Sequence, residues 1–337
     1  VSADVPTSNV SIVDKAEIPR HQSSPRVLAS LGMGSFLGLC IGIGLAFLLE
    51  HMDDRLKDAE EAERYLKLPS LAIVPPFARL NGAHGYGAGG KRVEALEHKR
   101  LTDDRQSKEI VVTSNRLSMA GEIYRTIRTS LLFSRAGSPP KTILITSATG
   151  GEGKTVTAIN SALAFAQTGA QILLIDTDLR KSRCHKVLGF DNYLGLTQVL
   201  VGQRPFEEVV HETDNAGLSF LSAGPSSPNP SELLASEEMR ELLHYLSTRY
   251  DYIILDSAPV IPVTDSVALS TMVDGVLLVV GGQTAKQIVQ TTCTRLNHVG
   301  SKILGLVLNG FEGHGPGGYT YYNHYYSHEH EDDASLS

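Results

Sequence analysis

Cysteine and net positive charge are both scarce. The three cysteines, Cys40, Cys184 and Cys293, lie far apart and form no CxxC pair. This argues against a disulfide framework or a structural zinc site and fits a reducing compartment for the main domain. Lysine and arginine number 30 against 37 aspartates and glutamates, a net charge of -7. No basic field exists to attract nucleic acid, and no nucleic-acid partner is expected. The chain also lacks an initial methionine and begins at Val1, as a piece of a longer protein would. Hydrophobic residues are not scarce: at 42% they suffice for a real core.

Charge is missing altogether from Val27 to Leu49, between Arg26 and Glu50. A run of that length predicts a transmembrane helix over 27–49, with a buried helix of a soluble core as the alternative. It lies too far in for a signal peptide, and no cleavage signature follows it. Ser30, Gly34, Gly38, Gly42 and Ala46 recur at every fourth position. Such a ridge either admits a second helix or reflects the tolerance of membrane helices for glycine. Basic residues flank both ends, so charge leaves the orientation open. Residues 54–68 read as a short amphipathic helix and Leu71–Val74 as a brief strand. The glycine-rich and then highly charged stretch from Asn81 to Lys108 reads as a flexible linker.

Order resumes near Ile110. Apolar runs at Thr142–Thr146, Ile172–Ile175, Leu218–Leu221, Tyr252–Leu255, Val276–Val280 and Ile303–Leu308 alternate with helical patterns. Continuous runs of this kind belong to parallel strands covered on both faces. The expected fold is a doubly wound, mostly parallel α/β sheet with its ligand at the carboxyl ends of the strands.

Between the first of these strands and the helix after it lies Ala148-Thr149-Gly150-Gly151-Glu152-Gly153-Lys154-Thr155, a P-loop with alanine in place of the first glycine. Its backbone N–H groups, with Thr149, Gly150, Gly151, Glu152, Gly153 and Val156 around them, would cradle phosphate at a helix N-terminus. Lys154 adds a point charge and Thr155 a hydroxyl for Mg²⁺. Since ATP is cytosolic, the chain beyond residue 50 should face the cytoplasm. Two further strand ends carry acids: Asp176-Thr177-Asp178-Leu179-Arg180 and Asp256-Ser257-Ala258-Pro259. In a parallel sheet these tips converge on the P-loop, where carboxylates serve Mg²⁺. Asp256 fits the Walker B role. Asp176 and Asp178 alternate along an extended chain and point to opposite sides. Taken singly, each is equally well a turn or cap residue.

Tyr319, Tyr321, Tyr322, Tyr325 and Tyr326 fall within eight residues, among glycines and before an acidic end. They are either phosphoacceptors on a mobile tether or a sticky low-complexity tail. Glu122, Arg125 and Arg128 are spaced to share one side of a helix, which is an ordinary charged face unless a partner meets it.

The P-loop with its second Asp-x-Asp strand resembles the deviant P-loop ATPases, among them the partition ATPases and the bacterial tyrosine kinases. Thr149 stands where the partition type carries its signature lysine, which favours the kinase. Together with the ExxRxxR helix and the tyrosine tail, the motifs resemble a polysaccharide co-polymerase fused to a tyrosine autokinase. The run from Val10 to Pro19 is similar to the end of that family's periplasmic chain-length domain.

The resemblance implies five regions: 1–26 periplasmic, 27–49 transmembrane, 50–109 juxtamembrane and linker, 110–312 kinase, 313–337 tyrosine tail. It implies a non-specific protein-tyrosine kinase in the bacterial inner membrane that regulates exopolysaccharide or capsule polymerisation and export. ATP and Mg²⁺ are the implied ligands, with Thr155, Asp256 and Asp176 at the metal. Asp176 is the implied base for the tyrosine hydroxyl, with Asp178 and Lys154 in support, and Asn309 lies on the adenine side. Glu122, Arg125 and Arg128 would join subunits in a ring, with phosphorylation in trans and a tyrosine phosphatase and the export machinery as partners. Two alternatives stand beside it: a non-kinase ATPase switch, and a structural co-polymerase with a vestigial site.

Overall fold

The structure, a computed structural model, describes residues 27–51, 54–56, 58–76, 109–112, 119–135 and 137–311. The chain forms two units, Val1–Asp54 and Arg55–Ser337. In the first, Val27–His51 is one helix (α1), and from Ser30 to Leu48 it is long and apolar enough to cross a membrane. Its side chains over that stretch are exposed.

The second unit is built on an eight-stranded sheet. Its strands are β1 (Ser70–Val74), β2 (Thr142–Ser147), β3 (Ile172–Asp176), β4 (Val210–Glu212), β5 (Leu218–Leu221), β6 (Tyr252–Asp256), β7 (Gly275–Gly281) and β8 (Ile303–Asn309). They lie in the order β1-β8-β7-β2-β6-β3-β5-β4, all parallel except β4 against β5. After β2 the chain moves to one side through β3 and β5, then returns through β6 to the other side at β7 and β8. The crevice of an open α/β sheet therefore opens at the carboxyl ends of β2, β6 and β3.

Both faces are buried, and the strand period of two divides the core. Ile143, Ile145, Ile172 and Leu174 join Tyr124, Ile127, Leu131 and Phe165 on one side. Leu144, Leu173 and Ile175 join Leu243, Leu246 and Leu269 on the other. Lys154–Ala166 (α4) follows the P-loop and is buried from Thr155 onward, which its Ala-rich sequence permits. Met119–Leu132 (α3) packs against α4 and β1.

The segment read as a membrane-proximal connector is part of this fold. Ala59–Leu66 (α2) starts at Asp58, whose carboxylate accepts from the Glu61 N–H. Ala62 and Leu56 pack with Val289, Leu306 and Leu308. β1 then adds an edge strand to β8, with Val74 beside Asn309. Residues 55–76 thus belong with the domain that the sequence reading begins at 110. The segment 109–112 is anchored separately: the Asn160 side chain on α4 accepts from the Val111 and Val112 N–H groups and donates to the Glu109 carbonyl. The linker core, the run from Val10 to Pro19 and the five tail tyrosines lie outside the described residues.

Candidate active site at the strand tips

The P-loop leaves β2 and turns into α4 through two glycines in the left-handed region, Gly151 at φ 85° and Gly153 at φ 94°. Gly153 is fixed by space as well: a Cβ there would lie 2.1 Å from the Asn309 amide nitrogen. That nitrogen donates to the Glu152 carbonyl at 2.9 Å. Asn309, assigned from the resemblance to the adenine side, here holds the loop backbone from below.

The Glu152 side chain does not line the cleft described below. Its carboxylate is buried and turned back into the loop, accepting from the Ala148 N–H (3.0 Å), the Thr149 hydroxyl (2.8 Å) and the Thr284 hydroxyl. Burial raises its pKa, against the Thr284 and Thr149 hydrogen bonds, which lower it. Thr149, at the signature-lysine position, therefore spends its hydroxyl inside the loop. The brace was missed in the sequence because a Glu between glycines shows no sign of turning inward.

A cleft of about 570 Å³ is lined by Gly150, Gly151, Gly153, Lys154, Thr155 and Asp178 on one side. Arg180, Lys181, Arg183 and Pro259 line it further round. The Lys154 ammonium sits 3.3 Å from an Asp178 oxygen. Burial works to lower its pKa, but the Asp256 and Asp178 carboxylates outweigh burial and hold it above the ordinary lysine value. Arg180 is pinned by a two-point ion pair to buried Asp265, at 2.7 and 3.1 Å. Lys181 and Arg183 carry no motif of their own, so only the fold brings them to the cleft.

Asp176 and Asp256 end neighbouring parallel strands in register. Both are fully buried. Asp176 accepts from the backbone N–H groups of Asp178, Arg183 and Cys184. Even so, burial first and the Asp256 charge second push its pKa up to about 8. Burial also raises that of Asp256, against the pull of Lys154 and the neighbouring Thr155 side chain. One Asp256 oxygen, Oδ2, receives the Cys184 thiol at 3.3 Å; the other, Oδ1, is buried with no hydrogen-bond donor. An orphaned carboxylate oxygen, a second acid in register and the nearby Thr155 form a donor set that suits a hard divalent cation. The structure sets Asp176 behind the cleft wall and Asp178 on it.

Glu122 and Arg125 pair with each other at 2.8 Å on α3. Arg128 turns inward and donates to the Ala164 carbonyl at the end of α4. Burial, then the neighbouring Arg125 charge, lowers its pKa. The three residues expected at a subunit boundary are thus engaged within the chain.

A glycine-rich loop at a helix N-terminus, a lysine beside it and two acids at adjacent strand tips define a P-loop phosphotransfer fold. Residues 140–303 match a family model described as an AAA domain. The chain is 39% identical over 207 residues to the tyrosine-protein kinase YwqD of Bacillus subtilis, covering 61% of this chain and 87% of that one. It is 33% identical over 303 residues to the tyrosine-protein kinase ptk of Acinetobacter johnsonii. That match covers 89% of this chain but only 39% of the Acinetobacter protein. The kinase domain of the Escherichia coli tyrosine kinase ETK superposes with a TM-score of 0.62 at 28% identity, over 76% of this chain and 98% of that one. The chain belongs to the bacterial tyrosine-protein kinase family.

Proposed function

We propose that the chain is an ATP-dependent protein-tyrosine autokinase that phosphorylates its own Tyr319, Tyr321, Tyr322, Tyr325 and Tyr326. The observation that carries this reading is the convergence of Lys154, Thr155 and Asp178 on one cleft under a P-loop, with Asp176 and Asp256 paired in register and buried beside it. Mg²⁺, held by Thr155, Asp256 and Asp176, would offset charge on the triphosphate. Gly151 and Gly153 supply the turn that aims backbone N–H groups at phosphate, and Glu152 and Asn309 keep that turn in shape. Lys154 leaves Asp178 for a phosphate oxygen and stabilises the charge that grows during transfer.

Asp176 takes the phenol proton. Asp178 is already engaged by the Lys154 ammonium at 3.3 Å, which leaves this role to Asp176. Asp176 is fully buried, so the acceptor reaches it only when its cover shifts. With α1 in the inner membrane and the kinase unit in the cytoplasm, the resemblance to fused co-polymerases points to exopolysaccharide or capsule export as the process regulated. A ring in which one chain's tail enters the next chain's site would use α3. Several phosphates on one tail, near two charges each, would then loosen the ring. The ATPase-switch alternative predicts hydrolysis without tyrosine label. Incubating the full chain with labelled ATP and mapping phosphopeptides tests the reading. Label on Tyr319–Tyr326 that vanishes in Lys154→Met supports it; phosphate release with unlabelled tyrosines overturns it.

A further inference from the structure

Cys184 is the one member of the strand-tip cluster that the phosphotransfer reading leaves without a task. It opens the short helix Cys184–Leu188 (α5), is fully buried, and places its thiol against Asp256. Ligand atoms of Asp176, Cys184 and Asp256 all lie within 4.8 Å of one another. A second, independent feature points to a ligand there: the buried Oδ1 of Asp256, which no donor satisfies. Magnesium takes oxygen ligands and has no use for sulfur, so the thiol adds nothing for it. Thiolate with carboxylate is a donor set for softer divalent ions, and zinc commonly takes three protein ligands with a fourth position open.

We propose that Asp176, Cys184 and Asp256 form a site for a thiophilic divalent cation of the Zn²⁺ class, which takes Asp256 from Mg²⁺ and so shuts off the nucleotide site. On binding, the Cys184 S–H and the Asp176 O–H break, both protons pass to solvent, and the sulfur and the carboxylate oxygens bond to the metal; no electron is transferred. Three anionic ligands outweigh the cation's charge, which lets Lys154 remain nearby in its pair with Asp178. The open fourth position takes water or a phosphate oxygen. Because both ions need Asp256, their binding is mutually exclusive.

Co²⁺ serves as the probe, since its thiolate bond gives a charge-transfer absorption in the near ultraviolet. The detergent-solubilised full chain, stripped of metal, is titrated with Co²⁺ and then with Zn²⁺ as competitor. One equivalent should give the thiolate band, and Zn²⁺ should remove it. Cys184→Ser should abolish the band and weaken Zn²⁺ at least ~10-fold, the scale on which altering a metal's surroundings acts. Cys293→Ser, at the buried thiol on the helix Lys286–His298, should keep it. Should Cys184→Ser fail to fold, the wild-type chain still decides: Mg²⁺ with ADP must displace the cobalt band. No band in the folded wild type, a band that survives Cys184→Ser, or one indifferent to Mg²⁺ and ADP overturns the site. The readout is independent of kinase activity, so its failure leaves the autokinase reading intact, and the converse holds.

Discussion

Asp176 and Asp256 face each other across two neighbouring parallel strands, both fully buried. Two carboxylates so placed cannot both stay ionised without help from a cation. Asp176 accordingly holds its proton up to about pH 8 in the metal-free chain. An unfolded aspartate releases it near pH 3.8. Between those values the folded state binds the extra proton, so stability falls as pH rises from about 4 to about 8, and this contribution is flat below and above. Thermal melts of the chelator-treated protein should show the decline, and Mg²⁺ with nucleotide should flatten it. A metal-free melting temperature that climbs steadily over that window would contradict the assignment.

Relief of the same repulsion by mutation is the second expectation. Asp256→Asn keeps an oxygen for the Cys184 thiol and removes the buried charge beside Asp176. The metal-free protein should gain about 1–3 kcal/mol near neutral pH, on the scale seen when a costly buried charge is removed. It should also lose its stabilisation by Mg²⁺ and nucleotide. Denaturant titration with and without Mg²⁺-ADP measures both effects.

Glu152 tests whether the loop is held from within. Glu152→Ala leaves the Ala148 N–H and the Thr149 and Thr284 hydroxyls without their shared acceptor. Stability should fall by about 1–3 kcal/mol. Nucleotide affinity should fall with it, although Glu152 does not line the cleft, and calorimetric titration reads that directly. Full retention of ADP affinity would show that the brace is dispensable.

How far the molecule was legible from its sequence depends on the range of the interaction concerned. The apolar runs ending in Asp176 and Asp256 announce their strands locally, and the glycines of the P-loop announce its turn. β1 was visible as a strand but not as the neighbour of β8, because Val74 and Asn309 meet only across most of the chain. β4 went unread, since Val210–Glu212 is three residues with no buried side chain. Asn160 looked like an ordinary helix polar residue, yet it binds a segment some fifty positions earlier. The inward turns of Glu152 and Arg128 are likewise set by tertiary packing, which charge and spacing do not encode.

Arg128 bears on the ring. Arg128→Ala removes a donor from the Ala164 carbonyl at the C-terminal end of α4 and should cost about 1–3 kcal/mol. Arg125→Ala/Arg128→Ala should leave ATP binding intact but give monomers by light scattering. Unchanged oligomers with lowered stability would confine these arginines to the fold of their own chain.

Asp176→Asn and Asp178→Asn separate the two acids of β3 and its exit loop. The account expects the first to reduce phosphotransfer by about 10²–10⁴-fold with nucleotide binding largely retained, the range for a positioned base. The second should act mainly through the Lys154 contact and weaken nucleotide binding as well. Single-turnover transfer alongside ADP titration distinguishes them, and the reverse pattern would move the base role to Asp178.

The most direct test mixes two versions of the full chain. One carries Lys154→Met and keeps its tail tyrosines; the other has an intact site with Tyr319, Tyr321, Tyr322, Tyr325 and Tyr326 all changed to phenylalanine. With labelled ATP and Mg²⁺, the account predicts label on the tail of the Lys154→Met chain, delivered by its neighbour. Phosphate release from the mixture with no label on either chain would contradict it.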